Sequence, residues 1–114
     1  MEININCDLG EKSKHHSTKH DPDLLKIVNS ANIACGYHAG DKESMNNTIL
    51  ISKKNGVSIG AHPSFNDPEN FGRKRLNLNE KEIIKLIMNQ YEALQNIAEK
   101  HNEKVTHIKP HGAL

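Results

Sequence analysis

The chain has 114 residues, with Lys+Arg 15 against Asp+Glu 14 and eight histidines. That length holds one domain and one core, and the near-neutral balance offers no basic field for a phosphate backbone and no reason to expect an acidic partner. Aromatics at 4% are too few for a base-stacking platform.

Hydrophobic content is 35%, low for a well-buried domain. No run approaches the ~18 apolar residues of a membrane span. The start, MEININCDLGE, is not a signal peptide. A cytoplasmic protein is expected, with Cys7 and Cys35 reduced and acting as small buried residues.

Residues 2–7, EININC, alternate apolar and polar and predict a first strand, ending at Asp8-Leu9-Gly10-Glu11. Residues 12–20, KSKHHSTKH, have no period and read as a loop. His15, His16 and His20 resemble a metal tract only by composition, and a solvated loop is the better reading. Asp21-Pro22 predicts a helix start, with Asp21 as N-cap and Pro22 at the first helical position. The short helix ends near Asn29. The next stretch, SANIACGYHAGD over 30–41, is a short apolar strand (Ala31–Ala34) opening into a Gly-bracketed loop with His38 at its tip. Asp41 then caps a helix whose inward face carries Met45, Thr48, Ile49 and Ser52, and Gly56 fits its C′ position.

A third strand is expected over 57–61, ending at His62-Pro63-Ser64. The loop from Phe65 to Asn77 is long enough to be functional and carries Arg73 and Arg75, a carboxylate or phosphate clamp or an ordinary solvated turn. The longest helix starts at Asn79 with Glu82 three residues on, a capping-box pair. Its apolar stripe includes Ile83, Ile84, Leu86, Ile87, Tyr91, Leu94, Ile97 and Ala98, and the pattern fades near His101. A fourth strand over 105–108 ends at Lys109-Pro110-His111-Gly112. His101 and His107 read as surface or packing residues.

Strands alternating with helices make a parallel sheet with right-handed crossovers. Neither G-x-G-x-x-G nor G-x-x-x-x-G-K-[ST] occurs. In a parallel sheet the strand C-termini share one edge, so Asp8 and Glu11, His38 and Asp41, His62, and Lys109 and His111 are expected to meet. Carboxylates and imidazoles there can act as acid, base or metal ligand, and the lysine can hold an oxyanion or carboxylate. Each also has a plainer role: Asp8 capping a turn, His38 solvated, His62 bonding a carbonyl, and Asp41 as an N-cap whatever else it does.

The blocks Asn6–Glu11, Ser30–Asp41, Gly60–Ser64 with Asp67, Phe71-Gly72-Arg73 and Lys109–Leu114 occur in this order across the whole chain. Together they resemble the LamB/YcsF family of lactam-utilisation proteins, understood as the A component of the bacterial 5-oxoprolinase. The resemblance implies an α/β fold, a (β/α) barrel of the glycoside hydrolase/deacetylase type. It implies hydrolytic opening of 5-oxo-L-proline to L-glutamate driven by ATP, with Mg2+, in a complex with 5-oxoprolinase subunits B and C. Matched to its motifs, Asp8, His38, His62 and Lys109 are the expected catalytic residues, and Glu11, Asp41, Arg73 and His111 the expected substrate contacts. A second reading is a metal-dependent amide or N-acetyl hydrolase with Asp8, His38 and His62 as ligands. A third is a catalytically incompetent fragment that binds partner subunits.

The chain departs from the family after Glu11, where a basic, His-rich loop replaces a Gly-rich acidic one. It is also short beside the ~250 residues of a barrel. The expectation is the N-terminal half of one barrel domain, about four βα units, as a fragment of a longer product.

Overall fold

The computed structural model describes residues 3–114. Met1, and Glu2 at the start of the expected first strand, lie outside the described residues. The elements are β1 (Asn6–Leu9), α1 (Asp21–Leu24), β2 (Ser30–Ala34), α2 (Lys42–Lys54), β3 (Ser58–His62), α3 (Glu80–Glu99) and β4 (His107–Ile108). The strands form one parallel four-stranded sheet in the order β1-β2-β3-β4.

Parallel register sets two kinds of row across the sheet. Cys7, Ala31 and Ile59 stand side by side, and so do Asp8, Asn32, Gly60 and His107. Successive side chains point to opposite faces. The first row therefore joins the apolar layer under the helices, and the second faces away from it. The apolar layer includes Leu9, Leu25, Ile33, Met45, Ile49, Ile59 and Leu94. Each fully buried Leu or Ile contributes about 1.5–3 kcal/mol of transfer free energy.

Both long helices begin with reciprocal caps. Asp41 accepts from the Ser44 N–H at 2.8 Å while Ser44 Oγ accepts from the Asp41 N–H. Asn79 and Glu82 do the same for α3. Helix α2 stops at a C-cap Asn55, and Gly56 follows with φ +66° as expected. The stripe on α3 is used unevenly: Leu94 and Ala98 are fully buried in its C-terminal half, whereas Ile84 remains 53% exposed.

The strand bounds differ from the sequence pattern in an informative way. β1 runs Asn6–Leu9, not 2–7, because pairing with β2 begins at Asn6. Ile3 and Ile5 continue the right parity but are exposed. β3 likewise ends at His62, so Asp8 and His62 sit inside strands and their side chains are aimed by the pleat. β4 has only 2 residues. The expected N-cap role of Asp21 is not found. His20 occupies that position without a side-chain bond, and the Asp21 carboxylate instead accepts the Gly10 N–H at 2.8 Å. That bond ties the turn after β1 to the start of α1. Cys35 is buried as expected, whereas Cys7 is only half-buried.

Candidate active site

At the C-terminal edge of the sheet, the ends of β1 and β3 and the segments after β1, β2 and β4 bring together Asp8, Glu11, His38, His62, Lys109 and His111. His38 is fully buried, and its Nε2 lies 2.6 Å from Glu11 Oε2. Its ring stacks on His111 with centroids 3.8 Å apart, and His62 meets both rings edge-on. Phe71 closes the cluster at 5.1 Å from both His38 and His111.

His62 and His111 are each oriented by the main chain. His62 Nδ1–H donates to the Lys109 carbonyl at 2.5 Å, and His111 Nε2–H donates to the Phe71 carbonyl at 2.7 Å. Phe71 offers that carbonyl from a left-handed conformation, φ 53°. Gly72, also left-handed, lets the loop approach: a Cβ there would collide with Ser64 Oγ and lie 2.7 Å from His38 Cβ. The long loop is thus the lid of the imidazole cluster. Gln90 on α3 holds the floor beneath it, accepting from the Ser64 N–H and donating to its carbonyl.

Asp8 lies at the exposed side. Its Oδ1 accepts from Lys109 Nζ at 2.9 Å and from Asn32 Nδ2 at 3.1 Å, and its Oδ2 is 3.4 Å from His62 Nε2. Asn32 is itself fixed. Its second N–H goes to Asn6 Oδ1, and its Oδ1 accepts from His107 Nε2 at 2.8 Å. Gly60 makes room for that histidine, since a Cβ there would collide with the ring. His107 is therefore a member of a polar row beneath the site. The sequence pattern alone reads it as surface or packing, although its parity with Gly60, Asn32 and Asp8 carries the signal.

The electrostatics follow from these contacts. Burial works to raise the Asp8 carboxyl, but the Lys109 and Asn32 hydrogen bonds and nearby His62 outweigh it and hold it below the usual range. Glu11 is likewise held low, burial being overcome by the His38 hydrogen bond and the surrounding imidazoles. Burial pushes His62 and His111 down, against the pull of Asp8 on the first and of the Phe71 carbonyl on the second. Ionised carboxylates thus face imidazoles biased toward the neutral form, which can take a proton at neutral pH.

Two expected contacts stand apart. Asp41 is exposed and engaged as the cap of α2. The Arg73 guanidinium lies 5.3 Å over the Phe71 ring and faces solvent. Asp8 is also not the carboxylate at the centre of the imidazoles. The donor atoms of Glu11, His38, His62 and His111 all lie within 4.8 Å of one another, so Glu11 and His111 take the place that the ligand reading gave to Asp8. His15, His16 and His20 are exposed, with His16 stacked on Phe71. A 380 Å³ cavity reaches Asp8 and Glu11 from their side.

A sequence model of the LamB/YcsF family matches residues 3–114. The chain belongs to that family. Among its LamB/YcsF relatives, the 5-oxoprolinase A component of Staphylococcus saprophyticus is 44% identical over all of this chain, which covers 45% of that protein. The same-named protein of Staphylococcus epidermidis is 46% identical over the same span. The crystal structure of the lactam utilization protein from Thermus thermophilus superposes with a TM-score of 0.93 at 34% identity, over 99% of this chain and 46% of that one. The four-stranded parallel sheet thus matches part of a TIM-like barrel, and the chain spans about half the length of the curated relatives it matches.

Proposed function

We propose that this chain supplies one wall of a lactam-opening active site, that of a 5-oxoprolinase A component which hydrolyses 5-oxo-L-proline to L-glutamate at the expense of ATP. The observation that carries the reading is the convergence of ionised carboxylates and buried imidazoles from four successive strand ends. The relatives' names support the same reaction. Those names also describe one subunit of several, which supports assembly with further subunits, here assigned as B and C.

A five-membered lactam is a stable amide, so its carbonyl must be activated before water can open it. In this reading the γ-phosphoryl group of ATP, with Mg2+ bound, passes to the lactam oxygen and ADP leaves. Water then adds to the activated carbon, the ring C–N bond breaks to leave an acyl phosphate, and a second water releases inorganic phosphate and the new carboxylate. This chain's part is proton handling and positioning. His62 accepts the proton of the attacking water, its ring held by the Lys109 carbonyl. Glu11 and His38 form the coupled pair that returns a proton to the leaving nitrogen. Lys109, half-exposed beside Asp8, holds the substrate carboxylate. His111 packs the imidazole stack.

The test is glutamate formation from 5-oxoproline by the full-length protein with its partner subunits and MgATP. Removing a positioned acid–base group costs about 10²–10⁴ in rate, so His62→Ala and Glu11→Gln should each lose that much kcat. Lys109→Ala should raise KM more than it lowers kcat. No glutamate from the complete wild-type complex would refute the proposal, and full activity of both His62→Ala and Glu11→Gln would remove the site from it.

A further inference from the structure

His62 Nε2 and His111 Nδ1 face each other across 2.9 Å. The far nitrogen of each ring points at a backbone carbonyl, that of Lys109 or that of Phe71. A carbonyl only accepts, so each far nitrogen carries the ring's proton. The two near nitrogens are then both bare in the neutral rings, lone pair toward lone pair. Neither can donate to the other without surrendering its backbone bond. Such a pair is satisfied by a cation set against both lone pairs.

The surroundings indicate which cation. Glu11 Oε2 lies 3.6 Å from His111 Nδ1, and all these donor atoms fall within 4.8 Å of one another. A shared proton would need only the two nitrogens and would leave Glu11 bonded to His38 alone, 3.6 Å from His111 Nδ1. A metal ion uses all of them. Imidazoles whose other N–H is held by a carbonyl are the usual supported ligands of a transition ion, because the carbonyl fixes tautomer and ring orientation. Neighbouring donors around zinc stand about 3.4 Å apart for metal–ligand bonds near 2.1 Å, so small ring rotations suffice.

We propose that His62, His111 and Glu11 form a binding site for a divalent first-row transition ion of the zinc class. His38, whose Nε2–H donates to Glu11, orients the carboxylate. Two imidazoles and one carboxylate suit Zn2+, Co2+ or Fe2+ and disfavour the hard, all-oxygen preferences of Mg2+ and Ca2+. The ion would supply a Lewis acid beside the proposed lactam site; with its Nε2 lone pair on the ion, His62 would be a ligand and no longer the acceptor of the water's proton, and the ion would instead make that water more acidic. The site stands apart from the substrate reading, since the ion can bind whatever the substrate is. The cavity beside His16 and His20 that reaches Glu11 offers a way in.

The experiment is metal binding by the purified chain after chelator treatment, with Zn2+ followed by calorimetry and Co2+ by visible absorption. The expected result is one ion per chain, the d–d bands of a four- or five-coordinate Co2+ site, their loss on adding Zn2+, and no competition from excess Mg2+. Loss of an outer-shell partner typically costs 10–100-fold in metal affinity. His38→Gln should fall in that range, and Glu11→Gln and His111→Gln should each exceed about 100-fold. A His15→Ala/His20→Ala double variant should bind as the wild type does, because those rings lie outside the cluster. If His111→Gln fails to fold, judged by circular dichroism, Glu11→Gln alone decides. A folded wild-type chain that takes up no ion overturns the proposal. So does uptake that survives Glu11→Gln, or that disappears with His15 and His20.

Discussion

The two faces of the sheet are built from alternate residues of the same strands, yet they are chemical opposites. On β2, Ala31 and Ile33 pack beneath α2 and α3, while Ser30 and Asn32 join a polar face with Asn6, Asp8, Gly60 and His107. The helix side is held by area removed from water, which tolerates changes that keep shape and volume. The other side is held by directed hydrogen bonds, each with one permitted partner, and it leads into the imidazole cluster. A groove of about 240 Å³ opens there, lined by Asn4, Asn6, Ser30, Asn32, His107 and Lys109. Stability and chemistry have been separated by the strand repeat of two.

The sharpest way to break this contrast is within one strand. Ile33→Ala should lower the unfolding free energy by about 2–5 kcal/mol, whereas Ser30→Ala, three residues away on the polar side, should stay within about 0.5 kcal/mol. Equal losses in urea titrations would mean that both faces carry the core.

Next in size is Gly60→Ala, whose Cβ would collide with the His107 ring. Overpacking of this kind costs about 1–3 kcal/mol. Because His107 would move off Asn32, the Asp8 carboxyl should also titrate higher than in the wild type, read by carbon NMR. Asn32→Leu should raise it as well by removing the N–H donor directly. A substitution on the helix side, such as Met45→Leu, should leave it unmoved.

A smaller effect is expected at Asp41. Losing an N-cap of this kind costs about 1 kcal/mol. The Ser44 N–H holds the Asp41 carboxyl below its ordinary range. A group depressed in the fold contributes fully above its unfolded pKa and loses that contribution as pH falls through the folded one. The stability gap between wild type and Asp41→Ala should therefore be complete at pH 7 and shrink below about pH 4. A gap constant down to pH 2 would show that the cap does not depend on the charge.

The smallest effect concerns reactivity. Burial pushes the Cys35 thiol up to about 12, and the partly exposed Cys7 is raised less far, by burial first and then by nearby Asp8. Iodoacetamide at pH 8 should label Cys7 slowly and leave Cys35 untouched until the chain is unfolded.

Several features were legible because they rest on local physics. The capping boxes at Asp41 and Asn79, the C′ glycine at 56 and the amphipathic stripe of α3 depend on residues within a few positions of one another. The gathering of strand-end groups was legible too, since parallel connectivity sends all strand ends to one edge. The miss was of another kind: Asp21 left its capping position for the Gly10 amide. Asp41 serves as the N-cap read from the sequence, and Arg73 stacks on Phe71.

The sequence by itself determined the alternation of strands and helices, the parity that divides apolar from polar residues, and the set of chemical groups at one edge. Those follow from helical and strand periods and from local capping chemistry. Only the tertiary structure decided which groups touch. It put Glu11, and not Asp8, among the imidazoles, paired Asp8 with Lys109 across 2.9 Å, and turned His62 and His111 toward each other by giving each ring a backbone carbonyl. Such pairings join residues up to 101 positions apart. They depend on register and on loop approach at Gly72, neither of which is encoded within any one segment.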